Sequence, residues 1–254
     1  MDAFPCNLQD ITIDKIKKYK ADRRKDVSPA TVNRELSLLS HIFTINIEDG
    51  KIHYDPTKKV KRFKEKPRIR FLERDEIDRL LAHAVDYQRP IIQTALHTAF
   101  RVSDILALTW GQIDFARRTI TLTQIKTDGP ILQPMTEELI KVLTTVPRHV
   151  SSPYIFHDAD GKPYKRIVKG FTAACKRAGI KDFHFHDLRH TFASHYLMQG
   201  GDLKTLQVLM GHKTIAMTAK YAHLAQRHLH QEIKRIDNLF GGNDDINANR
   251  ANGQ

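Results

Sequence analysis

The sequence predicts a mainly α-helical protein with a small antiparallel β-sheet. Apolar residues recur at helical spacing along most of the chain. Residues 119–125 instead alternate threonine with larger apolar residues, and a turn and a second short apolar stretch follow, which is typical of a β-hairpin. Hydrophobic residues make up 41% of the 254 residues, enough for the cores of two modest domains.

Two helices are predicted at the amino-terminal end. The first, residues 11–26, is basic and begins after Thr12, a suitable N-cap. The second begins at Ser28 and Pro29, a capping residue followed by proline at the first helical position, and ends before Gly50. Its apolar residues form one stripe, which we expect to face a core: Val32, Leu36, Leu39, Phe43 and Ile47.

A basic segment follows these helices. Eight of the 13 residues from Lys58 to Arg70 are lysine or arginine, and Glu65 is the only acid among them. Such like charges repel one another and favour water or a polyanion. We therefore predict a basic linker from about residue 56 and a domain boundary near residue 66. The candidate contacts to a polyanion are Lys58, Lys59, Lys61, Arg62 and Lys64.

The second domain is predicted to alternate short helices around the hairpin. A third short strand is expected near residues 154–156, and the residues after 241 are polar enough to form a flexible tail. The hairpin turn contains Lys126, and Gly179 ends a helix. The predicted helices are 72–85, 89–100, 136–146 and 165–178, and the returning hairpin strand is 131–135.

Composition narrows the class of partner. Lys and Arg number 41 against 29 Asp and Glu, so the net charge is +12 and nucleic acid is the obvious polyanion. The two cysteines, Cys6 and Cys175, are far apart, which argues against a disulfide scaffold or a cysteine-built zinc site. No signal-peptide pattern and no apolar stretch of about 20 residues is found, so a cytoplasmic protein is expected.

The motif HDLRH at 186–190 allows two chemical interpretations. His186 and His190 have the i, i+4 spacing of zinc ligands, but Asp187 stands where a zincin has glutamate, and no pattern for a third ligand follows. His186 and Arg189 alternatively share a helix face, where an arginine fork and an imidazole suit a phosphate. The phosphate interpretation is favoured.

Two further short helices follow this motif. Gly200 and Gly201 end the first helix, Asp202 can cap the next, which ends near His212, and Thr214 can cap a third helix with Tyr221 inside it. Three consecutive short helices can therefore converge on one phosphate.

The stretch HDLRHTFASHYLMQGGDLKTLQVLMGHKTIAMTAKYAHL (186–224) resembles the carboxyl-terminal signature of the tyrosine recombinases of phage-integrase type. LHTAFRVSDILALTWGQID (96–114) resembles the first arginine box of the same family, and the likeness extends over roughly residues 11–235. It implies site-specific recombination and integration of DNA by a homotetramer on double-stranded DNA carrying specific sites. It also implies a helical core-binding domain before the catalytic domain.

The resemblance implies a role for each matching residue. Tyr221 would attack phosphorus and form a 3′-phosphotyrosine. Arg101 and Arg189 would hold the non-bridging oxygens, and His212 would donate a further hydrogen bond to them.

Three other side chains would complete the site. His186 would assist proton transfer at the nucleophile, and Lys126 would protonate the leaving 5′ oxygen. Asp104 would orient Arg101 or His186. No metal or other cofactor is implied, because two guanidiniums and a lysine would supply the positive charge.

The chain departs from the family pattern in several places. Ala99 replaces the usual glycine of the first box, where an unusual φ would crowd it, and Asp104 replaces the usual glutamate. Two clear helices stand where the family has about four, so residues 1–66 are expected to be a short or truncated core-binding domain. The catalytic domain is expected over 67–240, with the flexible tail at 241–254.

Two alternative functions remain open: a type IB topoisomerase-like enzyme that nicks and closes DNA, and a DNA-binding remnant without full strand exchange. Three further histidines, His184, His190 and His195, are expected to be surface or buttressing residues.

Overall fold

The computed structural model is mainly α-helical with one small antiparallel sheet, as predicted. The chain divides into two compact units, residues 1–68 and 69–254. Lys126 and the predicted tail lie outside the described residues. No helix among the described residues is long and apolar enough to cross a membrane. The described residues are 7–65, 69–123 and 130–225.

The first unit contains the two predicted helices, α1 (Ile13–Asp26) and α2 (Pro29–Glu48). Thr12 and Ser28 cap them, and each side chain accepts a hydrogen bond from the backbone N–H three residues further on. Such a cap satisfies one of the N–H groups that a helix leaves unpaired at its start. The stripe of α2 faces the core as predicted, with three members buried and two partly buried: Val32, Leu36, Phe43, Leu39 and Ile47.

The basic segment was predicted to be a solvated linker, but residues 55–65 fold onto this unit. The Asn33 side chain of α2 donates to the Phe63 carbonyl and accepts from its N–H, both at 2.9 Å. Val60 is buried. Repulsion between the cations does not prevent packing, since their side chains remain exposed while the backbone and the apolar residues pack, and Arg62 also donates to the Asn33 carbonyl. All five predicted polyanion contacts are exposed: Lys58, Lys59, Lys61, Arg62 and Lys64.

The second unit packs short helices around a larger core of aliphatic and aromatic side chains. Thr136 and Asp202 cap two of these helices through their side chains. The helix that was predicted from residue 165 begins later, at Val168. The helices are α3 (Arg74–His83), α4 (Gln88–Thr98), α5 (Val102–Leu106), α6 (Glu137–Thr145), α7 (Val168–Arg177), α8 (Asp187–Met198), α9 (Leu203–Leu209), α10 (Ala216–Ala219) and α11 (Ala222–Ala225).

The sheet has three antiparallel strands in the order β1 (Ile113–Asp114), β2 (Thr119–Thr123) and β3 (Pro130–Pro134). Ile120 pairs with Ile113 on one side and with Gln133 on the other, which fixes the register. The hairpin was predicted. The third strand was predicted near residues 154–156, and this was wrong. Tyr154 makes only an isolated bridge with Thr109, and the third strand of the sheet is β1.

A smaller apolar cluster joins the last helices to the end of α4. Tyr221 is fully buried in it and lies between α10 and α11, not inside one helix, and α10 is preceded by Ile215 rather than capped by Thr214. This cluster packs the ends of α4 and α9 against the second half of α8. Its buried members are Ala99, Ala193, Leu197, Leu206, Met210 and Tyr221.

Candidate active site

Arg189 stands at the centre of the site, on the first turn of α8. Its guanidinium donates one hydrogen bond to the Ala99 carbonyl and another to the Met210 carbonyl. These carbonyls close α4 and α9, where helix ends carry partial negative charge. Burial, and next the charge of Arg101, lower the pKa of Arg189 to about 10, so it remains a cation at neutral pH. Arg189 therefore ties three helices together and brings a charge into their junction.

Ala99 supplies one of these carbonyls from a left-handed backbone conformation, with φ of 56°. This is the strain anticipated at the position where the family has glycine. Left-handed φ costs an alanine about 1–2 kcal/mol. A glycine at this position would reduce the free energy of unfolding by a comparable amount, for two reasons. Glycine has more conformational freedom in the unfolded chain, and it lacks the buried methyl group, which contributes about 0.8 kcal/mol. The opposing terms explain why alanine is tolerated here.

Arg101 and Asp104 lie side by side where α5 begins. The Nη1 atom of Arg101 is 3.9 Å from Oδ2 of Asp104, and the Arg101 side chain is 19% exposed. Both atoms are buried without a hydrogen-bond partner among the described residues. Burial raises the pKa of Asp104, and Arg101 opposes that rise. Asp104 therefore faces Arg101, one of its two expected partners, while part of the Arg101 side chain remains exposed.

His186 immediately precedes α8 and retains an exposed edge. Its ring meets the His190 ring edge to face, with centroids 5.3 Å apart. The pKa of His186 is lowered by partial burial first, and then by the positive charges of Arg189 and Lys220. The imidazole is therefore biased toward its neutral form beside these cations.

His212 lies in the turn between α9 and α10. Its Nδ1 is 2.8 Å from the Thr218 hydroxyl, and Thr218 is fully buried. Burial, followed by the nearby cations, lowers the pKa of His212 to about 4. A neutral imidazole that accepts from Thr218 at Nδ1 carries its proton on Nε2, where it can be donated to a ligand.

Tyr221 is fully buried and its hydroxyl contacts a histidine of α8. The hydroxyl is hydrogen-bonded to Nδ1 of His190, and the Lys220 ammonium lies 4.9 Å from the centre of the phenol ring. Burial raises the pKa of Tyr221, whereas the charge of Arg189 opposes the rise. The phenol is therefore protonated at neutral pH.

The structure thus gathers all the described residues to which the sequence assigned a role at the phosphate. Their mutual influence on pKa places Arg101, Arg189, His212 and Tyr221 in one electrostatic group. Lys126 lies outside the described residues. Among the residues the structure describes, no group of three or more His, Cys, Asp or Glu side chains is arranged to hold a metal ion.

Two neighbours of this group were not given a role by the sequence. His190 was expected to be a surface or buttressing residue, yet it is buried and contacts the Tyr221 hydroxyl. Lys220 was not singled out, although it directly precedes Tyr221. The i, i+4 spacing of His190 from His186 places both rings on one helix face and is the sequence signal for His190.

A helical domain with a small antiparallel sheet, in which two arginines, two histidines and a tyrosine from separate segments meet, defines the catalytic domain of a tyrosine recombinase. The chain belongs to the phage integrase family, whose model matches residues 70–228.

Two curated relatives are bacteriophage integrases. The integrase of Salmonella phage P22 is 34% identical over 200 residues, which cover 73% of this chain and 51% of that protein. The integrase of Escherichia phage P2 is 32% identical over 241 residues, covering 94% of this chain and 68% of that protein. The chain therefore spans about half the length of the first relative and about two thirds of the second.

Solved structures share the fold. The catalytic domain of bacteriophage HP1 integrase is 32% identical with a TM-score of 0.55, and the match covers 69% of this chain and 100% of that one. A lambda integrase tetramer bound to a Holliday junction gives a TM-score of 0.74 at 23% identity, covering 86% of this chain and 67% of that one.

Proposed function

We propose that this protein is a site-specific DNA recombinase that breaks and rejoins DNA through a 3′-phosphotyrosine intermediate. One observation carries the proposal: the Tyr221 phenol is buried against Ala99 and Met210, whose carbonyls accept hydrogen bonds from the Arg189 guanidinium, and the charges of Arg101 and Tyr221 both act on that guanidinium. A phenol next to two guanidiniums suits attack on a phosphodiester, because the cations offset the charge that develops on phosphorus.

The reaction exchanges one phosphodiester for another. The Tyr221 oxygen bonds to phosphorus while the bond from phosphorus to the 5′ oxygen breaks, and that oxygen takes up a proton. Lys126 is the proposed donor of this proton, and His186 assists proton transfer at the nucleophile. Because the new phosphotyrosine bond retains the energy of the old bond, a 5′ hydroxyl reverses the step and ATP is not consumed.

Each charged or polar side chain makes a different contact in the proposed complex with the phosphate. Arg101 and Arg189 hold the non-bridging oxygens, and His212 donates through Nε2. Asp104 keeps the Arg101 guanidinium in place through its charge, at 3.9 Å.

Double-stranded DNA carrying specific sites is the proposed partner. The five exposed cations of residues 58–64 are placed to contact phosphates, and such contacts weaken as salt increases because bound counterions are no longer released favourably. A homotetramer on DNA is proposed as the active assembly in the bacterial cytoplasm, and lambda integrase, which shares the fold, is a tetramer on a Holliday junction.

The two units are proposed to divide these tasks. Residues 1–66 form a short core-binding domain, and residues 67–240 form the catalytic domain. The two helices of the core-binding domain leave a row of apolar side chains exposed along α2, as expected of a short helical domain. Leu38, Ile42 and Ile45 are 62%, 40% and 43% exposed.

The proposal is tested with the full chain and a pool of nicked DNA duplexes whose sequence is randomised around the nick. Cleavage beside a nick releases a short fragment, so rejoining fails and the covalent complex accumulates. We expect complexes that survive SDS and carry the protein on a 3′ end. Retained DNA binding with no covalent complex would contradict the proposal and favour a DNA-binding remnant.

Thr218→Val is expected to slow formation of the covalent complex by about one to two orders of magnitude. The valine has a similar shape but cannot donate to Nδ1 of His212, so the imidazole loses the contact that fixes its Nε2 proton. The rate is measured in a single turnover on a duplex recovered from the pool. Thr218→Ser keeps the hydroxyl and is the control. Equal rates for valine and serine would show that this hydrogen bond does not matter.

A further inference from the structure

His190 directly follows Arg189, yet its side chain makes a different set of contacts. The residue is 7% exposed, and its ring lies between two others. The ring centre of His186 is 5.3 Å away at an interplanar angle of 89°, and that of Tyr221 is 5.6 Å away. The hydrogen bond of the Tyr221 hydroxyl goes to Nδ1 of this ring.

The direction of this hydrogen bond follows from the acidity of its two groups. Burial raises the pKa of Tyr221, so the phenol keeps its proton. Burial, and next the charges of Lys220 and His186, lower the pKa of His190 to about 4, so its ring is neutral. A neutral imidazole has one N–H and one lone pair, and a phenol is a stronger acid than an imidazole N–H. We therefore assign the hydroxyl as donor and Nδ1 as acceptor.

We propose that His190 is a further catalytic residue, which holds the Tyr221 hydroxyl and accepts its proton as the nucleophile attacks. The inference rests on the proposed function and makes His190 the direct acceptor of the proton at the nucleophile, a transfer in which His186 assists. The Tyr221 oxygen bonds to phosphorus, its proton passes to Nδ1, and the 5′ oxygen departs with a proton from Lys126. In the reverse reaction, Nδ1 returns the proton to the phenol.

Binding of the DNA phosphate makes Nδ1 of His190 a stronger proton acceptor. Without DNA, the ring faces the cationic groups of Lys220 and Arg189, with His186 against its edge, and Asp187 opposes them. A scissile phosphate held by the arginines brings negative charge toward the ring, and a nearby opposite charge favours the imidazolium form. Proton transfer is thereby coupled to occupation of the site, and the protonated, buried tyrosine is protected from reaction while the site is empty.

The experiment compares three replacements of His190 on a duplex recovered from the nicked pool. His190→Leu fills the volume without an acceptor. His190→Asn places an oxygen near the Nδ1 position, whereas His190→Gln places one near Nε2. His195→Leu is the matched control, because it removes another hydrogen-bonded imidazole from α8, one whose Nε2–H donates to the Leu72 carbonyl. Urea unfolding verifies that each variant folds.

We expect His190→Leu to form the covalent complex about 10²–10⁴-fold more slowly than the unchanged chain. The asparagine variant should react faster than the glutamine variant, because only asparagine keeps an acceptor where the hydroxyl points. This comparison decides the matter even if the leucine variant does not fold. His195→Leu should react at nearly the unchanged rate.

A second substrate distinguishes proton transfer at the nucleophile from proton transfer at the leaving group. Sulfur in place of the leaving 5′ oxygen is a better leaving group and needs little protonation, so it should restore Lys126→Ala but not His190→Leu. Restoration of His190→Leu by sulfur, equal rates for the asparagine and glutamine variants, or a folded leucine variant at the unchanged rate would overturn the role of His190. No covalent complex with the unchanged chain would instead overturn the proposed function itself.

Discussion

Tyr221→Phe is expected to reduce formation of the covalent DNA complex by roughly 10⁴-fold or more, the scale on which loss of a nucleophile acts. Phenylalanine has the same ring and lacks only the oxygen that bonds to phosphorus. The folding cost is about 1–3 kcal/mol, because the buried Nδ1 of His190 loses its donor. DNA binding should be retained, since no cation is lost.

The measurement compares SDS-resistant complexes with binding by gel shift on the same duplex. Tyr196→Phe is the control, because this half-buried tyrosine of α8 stacks on Phe192 and takes no part in the proposed reaction. An unchanged yield of complex from Tyr221→Phe would mean that another residue attacks the DNA.

Arg189→Lys is expected to slow the reaction by about 10³-fold, the upper range for loss of one donor to a developing oxyanion. The guanidinium has five N–H groups, so it can bond the Ala99 and Met210 carbonyls and still face a phosphate. A lysine ammonium has a single nitrogen and cannot make this fork. The variant should also lose about 1–3 kcal/mol in the free energy of unfolding, because a buried carbonyl loses its donor.

Urea unfolding and the single-turnover rate together test this expectation. Arg177→Lys is the matched control, since Arg177 also donates to a backbone carbonyl, that of His83, but lies on exposed surface of α7. A folded Arg189→Lys variant within tenfold of the unchanged rate would contradict the central position given to this guanidinium.

Local chemistry explains which parts of the fold could be predicted. Thr12, Ser28, Thr136 and Asp202 each begin a helix because a short polar side chain bonds a backbone N–H three residues away. That interaction needs no knowledge of the remaining chain. The alternation of residues 119–125 likewise predicted β2, although β1, with only two residues, is too short to show a pattern.

Tertiary contacts decided what the sequence could not predict. His190 is adjacent to Arg189, and only the arrival of Tyr221 from 31 residues further along the chain turns its ring into a hydrogen-bond partner. Residues 55–65 look like a solvated linker until Asn33 is found to bind their backbone. In each case the deciding partner is remote in sequence, so no local rule could find it.

The central claim is that Tyr221 becomes covalently linked to DNA, and mapping the linkage by mass spectrometry tests it most directly. The covalent complex is digested with nuclease and trypsin, and cleavage after Lys220 and Arg227 yields the peptide 221–227. We predict that this peptide carries a 3′-linked nucleotide phosphate on its tyrosine. A nucleotide on any other residue, with this peptide unmodified, would contradict the account.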